Sequence, residues 1–148
     1  MVLNTCSQVM SLAKEFEGKS ANFYRDLSTR FYKEKDLFLS FADENEGHVT
    51  DIERAYYGVI TDAIEGCFAF NIDPEKYTFK AELSEKAALT DALKRALEIE
   101  EKMVLFYSDA AEQSKSLMAD VPRAFTMVAK KRTARQAVLR AILDRKED

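Results

Sequence analysis

Two stretches of this chain repeat one another at six of thirteen positions, and that duplication limits the available folds more than any other feature. Residues 15–27, EFEGKSANFYRDL, align without a gap on residues 98–110, EIEEKMVLFYSDA. The pairs Glu15/Glu98, Glu17/Glu100, Lys19/Lys102, Phe23/Phe106, Tyr24/Tyr107 and Asp26/Asp109 are identical. In each copy a glutamate, Glu17 or Glu100, stands seven residues before a tyrosine, Tyr24 or Tyr107. A segment repeated in this way is one supersecondary unit used twice.

The unit is helical. Four segments carry a 3.6-residue apolar period. The first spans about Asn4 to Tyr32, with Val9, Leu12, Phe16, Leu27 and Phe31 on its inner face. After a break at Lys33–Asp36, with Asp36 as a plausible N-cap, the second spans about Leu37 to Ile64. Phe38, Phe41, Ile52, Tyr56, Val59 and Ala63 share one side of it, and Gly66 suits its C-terminal stop. Residues 67–89 lose the period at Asn71, Asp73 and Pro74, a connection too long for neighbouring antiparallel helices and suited to a crossover along a bundle. The third helix is expected from Ser84 or Thr90, both possible caps, to about Met118. Asp120, with Pro122 in the first turn, opens the fourth, which reaches about Asp144. The second and fourth helices align more loosely, Phe38 with Phe125 and Ala42 with Ala129. The expected fold is all-α: one domain over residues 1–148, a four-helix bundle of two related hairpins joined by a long crossover.

Composition agrees. The 148 residues are enough to bury a core, and 47% hydrophobic with 32% charged residues is ordinary for a globular chain. Four Gly and two Pro leave little to interrupt helices. No run approaches the 18 apolar residues of a membrane span, and MVLNTCSQVM has no basic and apolar leader. Cys6 and Cys67 form no CxxC pair, which excludes a four-cysteine metal site and favours reduced thiols in a cytoplasm. Residues 123–146 are basic: Arg123, Lys130, Lys131, Arg132, Arg135, Arg140, Arg145 and Lys146 stand against Asp144 alone. No aromatic residues interleave them, so pairing with acidic neighbours such as Asp43, Glu44 and Glu46 is expected in preference to a nucleic-acid surface.

Each helix interrupts its apolar stripe at a similar depth. The spacing Ala13, Glu17, Ser20, Tyr24, Leu27 turns Glu17 inward, and Leu93, Leu97, Glu100, Val104, Tyr107 does the same for Glu100. Asn45 and His48 lie between Phe41 and Ile52, and Arg132 and Arg135 between Val128 and Leu139. Buried polar groups are costly unless paired, so these six must answer to each other or to a ligand.

A glutamate seven residues before the tyrosine of an FY pair, repeated on the first and third helices, resembles the rubrerythrin branch of the ferritin-like superfamily. The similarity extends over essentially the whole chain, crossover included. It implies a di-iron centre in which each first-of-pair helix gives a carboxylate and each second-of-pair helix gives Glu-x-x-His. Carried over, Glu17 and Glu100 match the carboxylates and His48 matches one histidine. The rest departs from the pattern: Asn45 stands where the family has glutamate, and Arg132 and Arg135 occupy the second Glu-x-x-His. Guanidiniums cannot ligate metal, and they place positive charge where the cations would sit. With Glu17 and Glu100 ionised, Arg132 and Arg135 would cancel their charge, and His48 and Asn45 could hydrogen-bond across the gap.

Two functions follow. The preferred one is a ferritin-like bundle that has lost its iron and acts as a non-catalytic structural or interaction protein, as a homodimer, without a cofactor. The alternative is a rubrerythrin-like oxidoreductase that reduces peroxide or oxidises ferrous ions at an atypical iron site. In that reading Glu44 and His48, spaced i, i+4, join Glu17 or Glu100 as ligands, and a shifted register or an unusual rotamer would bring in Glu46. The chain lacks a four-cysteine electron carrier, so a separate donor would be required. A third possibility is an anion held by Arg132 and Arg135. Tyr24 and Tyr107 match tyrosines near the family's metals, but as core residues they need only a hydroxyl partner. Met103, Met118 and Met127 are expected in packing.

Overall fold

The structure, a computed structural model, describes residues 1–59, 70–115 and 120–147. Its described residues form four long helices: α1 (Cys6–Arg30), α2 (Lys35–Val59), α3 (Leu89–Ser114) and α4 (Asp120–Glu147). Among them no helix is long and apolar enough to cross a membrane. The expected end of the second helix at Ile64, its stop at Gly66, and Ala63, Cys67 and Met118 lie outside the described residues.

Local chemistry sets the helix ends. Thr5 caps α1 in a capping box: its hydroxyl accepts from the Gln8 amide at 3.2 Å, and the Gln8 side chain accepts from the Thr5 amide at 3.2 Å. A 3-10 turn over Tyr32–Glu34 leads directly into α2. Asp36 therefore falls inside the first turn of α2 rather than at its cap, where its charge still favours the helix N-terminus. For α3 neither Ser84 nor Thr90 is the cap. The cap position is Ala88, which has no side-chain acceptor, and Asp91 accepts from the Ala88 amide at 3.0 Å instead. Ser84 closes a separate turn, accepting from the Lys86 amide.

Cross-helix pairs fix the directions. Lys14–Glu53 and Arg25–Glu46 run α1 antiparallel to α2, and Asp51–Lys131 with Glu44–Arg135 does the same for α2 and α4. The Phe16–Phe106 ring contact and the Tyr24–Glu100 bond make α1 antiparallel to α3. With α3 antiparallel to α1 and α2 antiparallel to α1, the chain must travel back along the bundle before α3 begins. That requirement is the physical reason for the long connection. Each hairpin packs most closely within itself, and the hairpins meet mainly through α2 and α4.

Between α1 and α3 the crossover supplies much of the packing. Its N-terminal part forms an antiparallel bridge, Leu3 with Ile72, and Phe70 donates to the Asn4 carbonyl at 3.0 Å. Phe79 meets Phe16, and Tyr77 meets Phe106. The repeated lysines hold this strap from both sides: Lys19 donates to the Phe79 carbonyl at 2.5 Å and Lys102 to the Lys76 carbonyl at 3.2 Å. Arg30 adds bonds to the carbonyls of Ser84 and Leu83.

The core follows the apolar stripes. Val9, Leu12, Phe16, Leu27, Phe38, Phe41, Ile52 and Tyr56 are buried, while Phe31 is half-buried at the helix end. Met103 is fully buried, but Met127 is 51% exposed, because it lies on the side of α4 turned away from the core.

Candidate functional site

All six polar residues expected at one level are buried there, on four different helices: Glu17, Asn45, His48, Glu100, Arg132 and Arg135 are each at most 2% exposed. The helices bring them together because each occupies an inward position between apolar residues one turn away.

Arg132 is the centre. Its Nη1 donates to both oxygens of Glu100 at 2.8 Å, and its Nη2 donates to Glu17 Oε2 and, at 3.1 Å, to the Ser20 hydroxyl. One guanidinium thus forks between the two repeated glutamates, the geometry that suits Arg for carboxylates. Arg135 lies at the α2 side. Its Nη1 donates to Asn45 Oδ1 at 2.8 Å and to Glu100 Oε2 at 3.4 Å. Its Nη2 donates to the Phe41 carbonyl at 3.2 Å and to Glu44 Oε2 at 3.1 Å. The Phe41 ring lies 4.5 Å from its guanidinium carbon and the Tyr24 ring 5.4 Å, so aromatic faces cover the charge.

The remaining members complete the network. His48 Nδ1 lies 2.7 Å from Glu17 Oε1. Asn45 Nδ2 donates to the Ser20 hydroxyl at 2.6 Å and to the Glu17 carbonyl at 3.2 Å. Ser20 is the member whose role the sequence did not single out. Its position three residues after Glu17 was the available signal. Tyr24 donates to Glu100 Oε2 at 2.5 Å, and the Tyr107 hydroxyl, equally buried, lies beside Glu17. The repeat therefore sets each tyrosine against the glutamate of the other hairpin. The second halves break this symmetry, for Asn45 and His48 correspond to Arg132 and Arg135.

Electrostatics follows from the pairing. Burial alone would raise the Glu17 pKa, but Arg132 and then His48 more than offset it, leaving the carboxyl below its ordinary value of 4.5. Burial, then the adjacent carboxylate, raises both Tyr24 and Tyr107 well above 10.0, so both hydroxyls stay protonated. Arg132 loses solvation on burial, yet Glu100 and Glu17 hold its proton more firmly than in water. Two buried carboxylates and two buried guanidiniums balance.

Glu44, the proposed i, i+4 companion of His48, sits half-exposed at the edge and pairs with Arg135. Glu46 pairs with Arg25 on the surface. Among the described residues no group of three or more His, Cys, Asp or Glu side chains is arranged to hold a metal ion. The donor set does not fit a pair of iron ions, since both carboxylates already bind Arg132 and two fixed positive charges share their level. All four Nη groups of the arginines are occupied by protein acceptors, and among the buried side-chain atoms of the described residues the two Nε atoms, His48 Nε2 and the Tyr107 hydroxyl lack a partner. Of the basic segment, Arg132 and Arg135 are thus internal, and Lys131 pairs with Asp51. No family model matches the chain, nor does any curated protein or solved structure in the comparisons made.

Proposed function

We propose that this chain is a ferritin-like bundle in which an Arg–Glu network stands in place of a di-iron centre, and that it works without metal as a structural or interaction protein. The observation that supports this reading is the fork of Arg132 between Glu17 and Glu100. In a di-iron site the carboxylates would turn toward cations, and the metal would tie the helices together. Here a guanidinium spans the same two carboxylates and supplies a cross-link among α1, α3 and α4.

The test is elemental analysis of protein purified after expression in iron-rich medium, with melting measured with and without a chelator. The expected outcome is no stoichiometric iron and an unchanged melting temperature. One or two iron equivalents per chain, together with destabilisation by chelator, would establish the rubrerythrin-like reading instead. That enzyme would oxidise added ferrous ion in a peroxide-dependent reaction that Glu17→Ala abolishes.

A further inference from the structure

The fourth helix carries more apolar surface than the core uses. Its buried face is Val121, Phe125, Val128, Leu139, Ile142 and Leu143, with Arg132 and Arg135. On its outer side Ala124, Met127, Lys131, Ala134, Val138 and Ala141 follow one another in alternating steps of four and three residues, flanked by Asp120 and Arg145 in the same rhythm. That is the spacing of a helix–helix seam. Met127 is 51% exposed and Val138 42%, while Ala134 and Ala141 are exposed and Ala124 half-buried. The stripe borders α2, where its one internal charge, Lys131, is already paired with Asp51.

We infer that this stripe is the contact between two copies of the chain, with the two α4 helices antiparallel about a twofold axis midway between residues 132 and 133. The occupant follows from the order of residues along the stripe. In that register Met127 meets Val138 of the second copy, Ala124 meets Ala141, and Lys131 lies beside Ala134. At each end Asp120 meets Arg145, opposite charges that have no ion-pair partner within their own chain among the described residues. A parallel pairing would instead set Asp120 against Asp120 and Arg145 against Arg145. An isologous interface must be self-complementary, and this stripe is, in side-chain size and in the charges at its two ends. The three alanines allow the helix backbones to approach closely. From Asp120 to Arg145 the seam is about 38 Å long at 1.5 Å per residue. The inference rests on reading the chain as an interaction module and names the partner.

Light scattering after gel filtration at about 50 μM, where a micromolar association is populated, tests it. The expected mass is twice 16.9 kDa. Ala134→Glu, on the exposed side, should yield monomer with an unchanged helical spectrum and a melting temperature independent of protein concentration, whereas that of the wild-type dimer rises with concentration. Asp120→Arg and Arg145→Asp should each weaken the dimer at least tenfold, and the two together should restore it, a rescue that only the antiparallel register provides. A monomeric wild-type chain overturns the inference, as does a dimer that Ala134→Glu leaves intact or a double variant that fails to recover. Iron analysis is independent of all these readouts, so failure of the interface and failure of the metal-free reading are separately visible.

Discussion

Arg132 shows what a single side chain does when four helices converge on it. It is fully buried, and its charge is tolerable because Glu17 and Glu100 face it from α1 and α3. Removing one partner of such a network leaves the others charged and unpaired, which costs more than the network gains over apolar packing. Arg132→Leu is accordingly expected to destabilise the bundle by about 3–5 kcal/mol, measured by urea unfolding. Combining it with Glu17→Leu and Glu100→Leu should recover part of that loss. The same network makes stability pH-dependent. Because the folded pKa of Glu17 lies below 4.5, its ionised form favours the folded state; the contribution is complete above that value and is lost as pH falls through the folded pKa. Wild-type stability should therefore drop more between pH 5 and pH 3 than that of Glu17→Gln, compared by urea midpoints at each pH.

At the level of elements, the helices owe their ends to a few polar side chains. The α3 start is instructive, since its cap position is an alanine and the stabilising carboxylate stands three residues inside the helix. Asp91→Ala should cost about 1 kcal/mol, the usual worth of a capping interaction, without altering helix content in the folded state; a chemical denaturation curve with circular dichroism reads both. Such one-sided capping is hard to read from sequence, because Ser84 and Thr90 are better residue types for a cap than Ala88. Only the path of the strap, held at Leu83 and Ser84 by Arg30, decides where helical geometry begins. Met127 carries a similar lesson. An apolar residue on a periodic helix reads as core until the neighbouring helices show which side of α4 they cover.

Across the whole molecule, two hairpins and a strap share one core. Phe106 lies where they meet: its ring is 5.3 Å from Phe16 on α1, 5.4 Å from Tyr77 on the crossover and 5.1 Å from Tyr107 on its own helix. Phe106→Ala should cost about 3–5 kcal/mol. Far-UV and aromatic near-UV signals should still unfold together, because no hairpin keeps a complete core without the other.

The residues themselves determined the helical pattern, the duplication and the depth at which polar groups interrupt the core. Those features are periodic and local, so spacing alone carries them. It was enough to place Glu17, Asn45, His48, Glu100, Arg132 and Arg135 on inward faces. Which of them meet was settled only in three dimensions. Arg132 chose the two glutamates, Arg135 turned to Asn45 and Glu44, and Ser20 entered as a bridge, because partner choice depends on angstrom-scale distances between helices far apart in the chain. The repeated lysines are the same case. Their identity at Lys19 and Lys102 was visible from the start, but their shared role in gripping the crossover exists only once that strap lies between α1 and α3.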